Sequence, residues 1–410
     1  MHKSIIFILT ICTLTFFSCQ NTTQDQEPET QSSVSIPELL DRTEALQQDL
    51  EWDNVQNIYG KNRSKIMADP TAEEPKIKLA EVFINEARVT GEHGHYYPAA
   101  LQMLNSILDK SSDNPDITFR ALSHKAGVLL SLHQFAEALE VGQKAVALNP
   151  YNAHIHGVLV DAYVELGDYE SAVKMADKMV SIRPDLRSYA RVSYLREIHG
   201  DVDGAIEAMK LAVSAGYPGY EQTAWTRLTL GELYETYGFT DEAEQEYKMA
   251  LAERPDYPFA IAALANLEME KGNLEAAEKQ LKAACEIIPE VGFYEQLAHL
   301  YKKQGKTDAM KKTVEEIFPM LEDDVANGHQ MNLEYAHLYL DLLDAPEKAL
   351  EYAMIEYGKR PKNIDVNLLL AEIYLELDDS KNMQKHYTSA SKTNSKNPIL
   401  NEMKAKLAIN

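Results

Sequence analysis

The chain has 410 residues, 45% hydrophobic and 25% charged, which supplies material for a sizeable core and excludes wholesale disorder. Its formal net charge of −24 leaves little basic surface to displace counterions from phosphates. That argues against nucleic acid as a partner and against electrostatic adhesion to anionic lipid. Three cysteines, Cys12, Cys19 and Cys285, are too few for a disulfide framework, so packing must hold the fold.

Met1 to Lys3 form a short basic start, and Ile5 to Phe17 then run almost unbroken as apolar residues. Such a run is short for a membrane span and suits the hydrophobic region of a signal peptide over residues 1–18. It ends at Ser18-Cys19. A small residue before a cysteine, directly after the apolar run, resembles the bacterial lipoprotein processing site, although Phe16 and Phe17 replace the residues usual there. The resemblance implies cleavage before Cys19, lipid on that residue as the sole membrane anchor, and an address in the bacterial cell envelope. By analogy with lipoprotein sorting, Gln20 in place of Asp after the cysteine points to the outer membrane. Residues 19–35 are rich in Gln, Asn, Thr, Ser and Glu, bury nothing, and are expected to form a disordered tether.

Residues 36–118 form an irregular helical section. Ile36 to Asp69 predicts two helices, with Trp52, Val55, Ile58 and Tyr59 on an apolar face. Lys76 to Thr90 predicts a first hairpin helix, and its partner is expected to begin only at Pro98, after an enlarged loop Gly91-Glu92-His93-Gly94-His95-Tyr96-Tyr97. That loop is a candidate partner contact through His93, His95, Tyr96 and Tyr97. Its two histidines beside Glu92 have the chemistry of metal ligands, but the sequence supplies no obvious third or fourth, so no metal is expected.

From there the chain repeats. Asn149-Pro150, Arg183-Pro184, Arg254-Pro255, Ile288-Pro289 and Arg360-Pro361 punctuate it, and twelve residues before each proline stands an alanine: Ala138, Ala172, Ala243, Ala277 and Ala349. Five residues before those stand Gly167, Gly238 and Gly272, with His133 and Asp344 in the other two units. The fullest unit reads Leu230-Gly231-x-x-Tyr234, Gly238, Ala243, Tyr247, Ala250, Pro255. Glycine supplies a positive φ between helices, alanine lets two axes approach, and proline ends the second helix. These residues resemble the tetratricopeptide-repeat family. The resemblance implies an all-α, right-handed superhelical solenoid of antiparallel hairpins. About eight units over 119–397 begin near Phe119, Ala153, Arg187, Ala224, Pro258, Val291, His329 and Ile364, and 398–410 forms a capping helix. The long junction Ala215-Gly216-Tyr217-Pro218-Gly219-Tyr220 is expected to be a bend or weak joint.

No H-E-x-x-H, G-x-S-x-G or P-loop motif is present, and Cys285 falls on a packing face, so neither an enzyme nor a cofactor is expected. In the family, partners lie against first-helix residues of the concave groove. That register selects His154, Asp161, Arg191, Trp225, Glu232, Phe259, Asn266 and His299, with Glu295, His337 and Glu372 beside them. The family's basic carboxylate clamp is replaced by Gly157 with Asp161, Leu228 with Glu232, and Ala262 with Asn266, so acidic peptide tails are not implied. Trp225 and Phe259, in adjacent units, suggest an aromatic shelf or ordinary packing between repeats. The expected function is a lipid-anchored scaffold binding other proteins or peptides in the envelope. The alternative is capture of a glycan or peptide for an outer-membrane transporter.

Overall fold

The computed structural model describes residues 35–48, 50–110 and 112–409. The leader, Cys19 and most of the tether therefore lie outside the described residues. All regular structure among the described residues is helical, and residues 36–410 pack as one unit. No described helix is long and apolar enough to cross a membrane.

The repeat begins with α2 (Glu74–Thr90) and α3 (His93–Leu108). Three hairpins follow: α4 (Pro115–Ser131) with α5 (Phe135–Leu148), α6 (Ala153–Glu165) with α7 (Tyr169–Ile182), and α8 (Leu186–Ile198) with α9 (Val202–Ser214). After the long junction come α10 (Glu221–Thr236) with α11 (Thr240–Glu253), and α12 (Pro258–Glu270) with α13 (Leu274–Ile287). The array continues with α14 (Val291–Lys303) and α15 (Thr307–Ala326), α16 (Asn332–His337) and α17 (Pro346–Lys359), and α18 (Ile364–Glu376) and α19 (Ser380–Ala390). The helix α20 (Pro398–Ile409) closes it, burying Met403 against Met383 and Ala371.

Each repeat position does the work its chemistry allows. Ala138, Ala172, Ala243, Ala277 and Ala349 are all 0% exposed, where a larger side chain would force the two helices apart. The turn residues Gly167, Gly238 and Gly272 have φ of 77°, 82° and 81°, and His133 and Asp344 take 57° and 49°. Non-glycine residues adopt that region at a cost, so the turn geometry is imposed by the packing of the hairpin and not by the residue alone.

The N-terminal section departs from expectation. Residues 36–43 are extended, with one short 3₁₀ turn at Glu44–Leu46, and a single helix α1 (Leu50–Ala68) follows. The inward stripe of α1 runs Trp52, Val55, Tyr59, Asn62 and Ile66, while Ile58 is exposed. The first segment is not helical because its side chains are drawn apart to separate partners. Tyr59 donates to the Pro37 carbonyl at 2.9 Å, and Arg42 pairs with Glu86 at 2.6 Å and Glu51 at 2.7 Å. Leu46 enters the same core as Ala262, Phe293 and Leu297. The segment is thus a strap tying the start of the solenoid to its middle.

The enlarged loop is also absent. Gly91 turns the chain at φ 73°, and α3 starts at His93, with Pro98 inside its first turns. As the sixth residue of α3, Pro98 forgoes only the bond its N–H would make to the Gly94 carbonyl, and so near the helix start its ring meets little helix behind it. The junction at 215–220 is no weak joint either. The buried Arg254 donates to the Gly219 carbonyl at 2.9 Å and pairs with Glu51 at 2.9 Å.

The largest feature the periodicity does not announce is that the solenoid meets itself. Gln134 donates to the Gly328 carbonyl at 2.7 Å across 194 residues, and His133 Nδ1 lies 3.2 Å from the Gln330 carbonyl across 197. One unit further on, the Ile364 N–H donates to the Tyr169 hydroxyl across 195 residues, and Asn363 donates to the Glu165 carbonyl across 198. Arg360 forms an ion pair with Glu165 at the same seam. The near-constant offset shows successive hairpin turns docking on the junctions one superhelical turn later.

Candidate functional site

The first helices of the hairpins line an interior wall whose two halves differ in charge. In the first half, a cavity of about 740 Å³ is bounded by α2, α4, α6, α8 and α10. Arg88, Arg187 and Arg191 reach it, with His124, His154, Tyr194 and Trp225. Arg191 is committed: its guanidinium holds Asp161 through bonds of 2.8 and 2.5 Å and the Gly157 carbonyl at 3.1 Å. Arg88 lies 3.7 Å from Glu221. The Arg187 guanidinium makes no hydrogen bond or ion pair among the described residues. Burial, and then Arg88 and Arg191, lower its pKa, with Asp185 opposing them only in part, the mark of a cation with too little counter-charge. The same surroundings push the His154 imidazole down to about 3, through burial first and Arg187 next. Trp225 is 40% exposed over this cavity.

A second cavity of about 530 Å³ shares Asn85, Leu186, Arg187 and Gln222 with the first. It runs beneath the long junction, past Gly216, Tyr217 and Tyr220, to the strap residues Arg42 and Glu51. Tyr217 and Tyr220 are both well exposed.

The second half of the wall is acidic. Glu232 and Asn266 share a cavity of about 380 Å³ with Glu235, Glu270 and Phe259. Desolvation, then Glu235 and Glu197, push the Glu232 carboxyl up to about 7. Phe259 packs on Phe293 at 5.2 Å and Tyr257 at 5.5 Å, so it serves the joint between repeats and forms no shelf with Trp225. Further along, burial lowers the His299 pKa. His337 is raised: burial works against its charged form, but the Asp341 carboxylate at 3.3 Å outweighs it. Burial raises Glu372 as well.

Glu295 provides a pH test of this half. One of its carboxylate oxygens is buried with no hydrogen-bond partner. Burial lifts its pKa from the ordinary 4.5 to about 7, with Glu334 and Asp341 adding to the rise and His337 opposing it. Because the folded state holds the proton more tightly, this group's contribution is full below about pH 4.5 and is lost as pH rises through 7. Glu295→Gln, neutral throughout, should gain stability at pH 8 on the order of 1–3 kcal/mol and little at pH 5. Equal shifts of the melting temperature at both pH values would rule this out.

The four aromatic residues expected on a loop point inward instead. Tyr96 is buried, accepts the Leu40 N–H at 3.0 Å and stacks on Phe83. His95 Nε2 donates to the Glu38 carbonyl at 2.9 Å. His93 stacks on the buried Tyr97 at 5.3 Å, and both rings lie within 6 Å of His329. Burial holds His93 and His329 each down to about 4, with neighbouring histidines adding to the effect. Cys285 is half-buried against the core, and burial pushes its thiol up to about 11, which leaves no thiolate nucleophile at neutral pH.

The sequence register missed Arg88, Arg187 and Glu81, the last of which lines the same cavity 3.3 Å from His124. The enlarged-loop reading left α2 without a place in the groove, and so hid Arg88 and Glu81. The visible signal was a basic or imidazole residue on each of four consecutive first helices: Arg88, His124, His154, and Arg187 with Arg191.

Models of the tetratricopeptide repeat match residues 129–196, 260–291 and 291–318. The solved APC/C hetero-tetramer Cut9–Hcn1 aligns over 88% of this chain and 61% of its own, with a TM-score of 0.52 at 14% identity, which shows the shared fold. The matched residues are tetratricopeptide repeats, and the rest of the solenoid shares their fold. The chain is 24% identical over 284 residues to the bovine (Bos taurus) BBSome complex member BBS4, and 22% identical over 204 residues to the human (Homo sapiens) protein O-mannosyl-transferase TMTC1. These matches cover 68% and 48% of this chain but only 52% and 22% of the relatives. The repeats support a protein or peptide as the kind of partner this chain holds.

Proposed function

We propose that the protein is a lipid-anchored scaffold of the bacterial cell envelope. In this reading the first-half cavity grips a partner segment through an acidic group set beside an apolar side chain. The observation that carries it is Arg187, a guanidinium that makes no ion pair among the described residues and whose charge Asp185 offsets only in part, in a cavity already lined by Arg88 and Arg191. A chain of net charge −24 has carboxylates to spare, so a cation left unpaired within its own wall is complemented by a ligand's. Trp225, exposed over the same cavity, offers the apolar contact. This revises the expectation drawn from the missing clamp: Arg88 stands on α2 and Arg187 one turn before the clamp position on α8, while Arg191, which holds that position, is committed to Asp161. The anchor rests on the apolar run ending at Ser18-Cys19.

The test is in-cell crosslinking with mass spectrometry on fractionated membranes. Arg187→Glu with Trp225→Ala should weaken capture of a defined partner by about tenfold or more, and Cys19→Ala should move the protein to the soluble fraction. A full crosslink pattern in the double variant would remove the cavity from the reading, and a membrane-bound Cys19→Ala would remove the anchor. Saturable glycan binding with no protein partner would favour the ligand-capture alternative.

A further inference from the structure

The seam where the solenoid meets itself brings together groups no single repeat could assemble. His93 opens α3; Asp324 lies in the last turn of α15, and His329 in the link to α16. One ligand atom from each lies within 4.8 Å of the other two. Tetrahedral coordination by nitrogen and oxygen at about 2.0–2.2 Å places ligand atoms about 3.4 Å apart, so small side-chain rotations would close the set.

A further observation points to a ligand. His329 is 7% exposed, and its Nδ1 is buried without a hydrogen-bond partner, 3.7 Å from an Asp324 carboxylate oxygen. An imidazole nitrogen removed from water and left unpaired is costly unless something occupies it. Around the three stand Tyr97, stacked on His93, and His133, whose ring lies 6.4 Å from that of His329. His133 in turn faces Glu334 at 3.7 Å.

We propose that His93, Asp324 and His329 bind a divalent transition metal ion of the zinc class, which clasps the first hairpin to the α15–α16 link one superhelical turn later. Two imidazoles and a carboxylate suit zinc over calcium or magnesium, which favour all-oxygen shells. The fourth position is open to water or to His133. The ion's role is structural: it ties two chain segments that no disulfide can join, since the one described cysteine, Cys285, lies elsewhere.

The experiment is calorimetric titration of Zn²⁺ into chelator-treated protein, with thermal melts alongside and Co²⁺ as a spectroscopic probe. One ion per chain should bind, raise the melting temperature, and give Co²⁺ visible bands of a low-coordinate site. Asp324→Asn and His329→Gln, which keep size and leave the fold's apolar contacts intact, should each weaken binding about 10–100-fold or more and abolish the thermal gain. His95→Gln should retain both. Absence of stoichiometric binding in the parent protein, or binding unchanged in both ligand variants, would overturn the site. Either outcome leaves the Arg187 cavity untouched.

Discussion

Arg42→Met should destabilise the protein by roughly 3–5 kcal/mol, the usual cost of stranding one member of a buried ion pair. The carboxylate left behind is that of Glu86, whose side chain is 0% exposed against 1% for Arg42. The guanidinium donates to both Glu86 oxygens, at 2.7 and 2.6 Å, and spends a further donor on the Leu46 carbonyl at 2.9 Å. It also lies 5.2 Å over the Trp52 ring and shares Glu51 with Arg254. The strap, α1 and α2 are therefore joined through one side chain, and Glu51 with Arg254 carries the network on to Gly219 in the 215–220 junction. Arg42→Met combined with Glu86→Leu should recover part of the loss, since removing both charges removes the stranded one. Denaturant melts of the two variants decide it. A single variant within 1 kcal/mol of the parent would mean that the strap is not part of the cooperative fold.

The contrast between what the sequence disclosed and what it withheld follows from range. The hairpin is local: proline, the alanine twelve residues before it and the turn residue five before that are set by contacts inside one unit. Ala172 and Gly167 thus declare their roles in the string. The strap is not local. Leu39, Leu40 and Leu46 are apolar enough for a helix face, yet Arg42 finds Glu86 far along the chain, and leaving that buried carboxylate unpaired would cost about 3–5 kcal/mol against a few tenths of a kcal/mol of helix propensity per residue. His93 misled in the same way. Pro98 five residues later suggested a helix start, whereas the ring packs on Tyr97 and His329 and the helix begins beneath it. Groove residues from His154 onward were legible because the register continues through them. Arg88 was lost with the misread first hairpin, and the acidic half was visible residue by residue without its separation from the basic half. The offset of 194 to 198 residues between docked turns reflects the small rotation per hairpin, summed over several units. No pair of positions encodes that sum.

Gly167→Ala should cost markedly more than Gly238→Ala, although the two glycines occupy the same turn position at φ 77° and 82°. For an alanine, the left-handed conformation alone costs about 1–2 kcal/mol, and both variants share that term. Their surroundings differ. A methyl group at Gly238 meets nothing within 4 Å, whereas at Gly167 it would stand 2.4 and 2.5 Å from the carbonyl carbon and oxygen of Lys362. Backbone cannot swing aside as a side-chain tip can, so the seam must part or the hairpin must shift, adding about 1–3 kcal/mol as other overpacked sites do. The contacts next in line are the Ile364 N–H to the Tyr169 hydroxyl, Asn363 to the Glu165 carbonyl, and Arg360 with Glu165. Paired thermal melts measure the difference, and amide exchange at Ile364 locates it: protection there should fall in Gly167→Ala and hold in Gly238→Ala. Equal losses of stability, with Ile364 still protected in both, would mean that the turns of the superhelix do not bear on one another in solution. The solenoid would then be an open spiral whose basic cavity is set by neighbouring units alone.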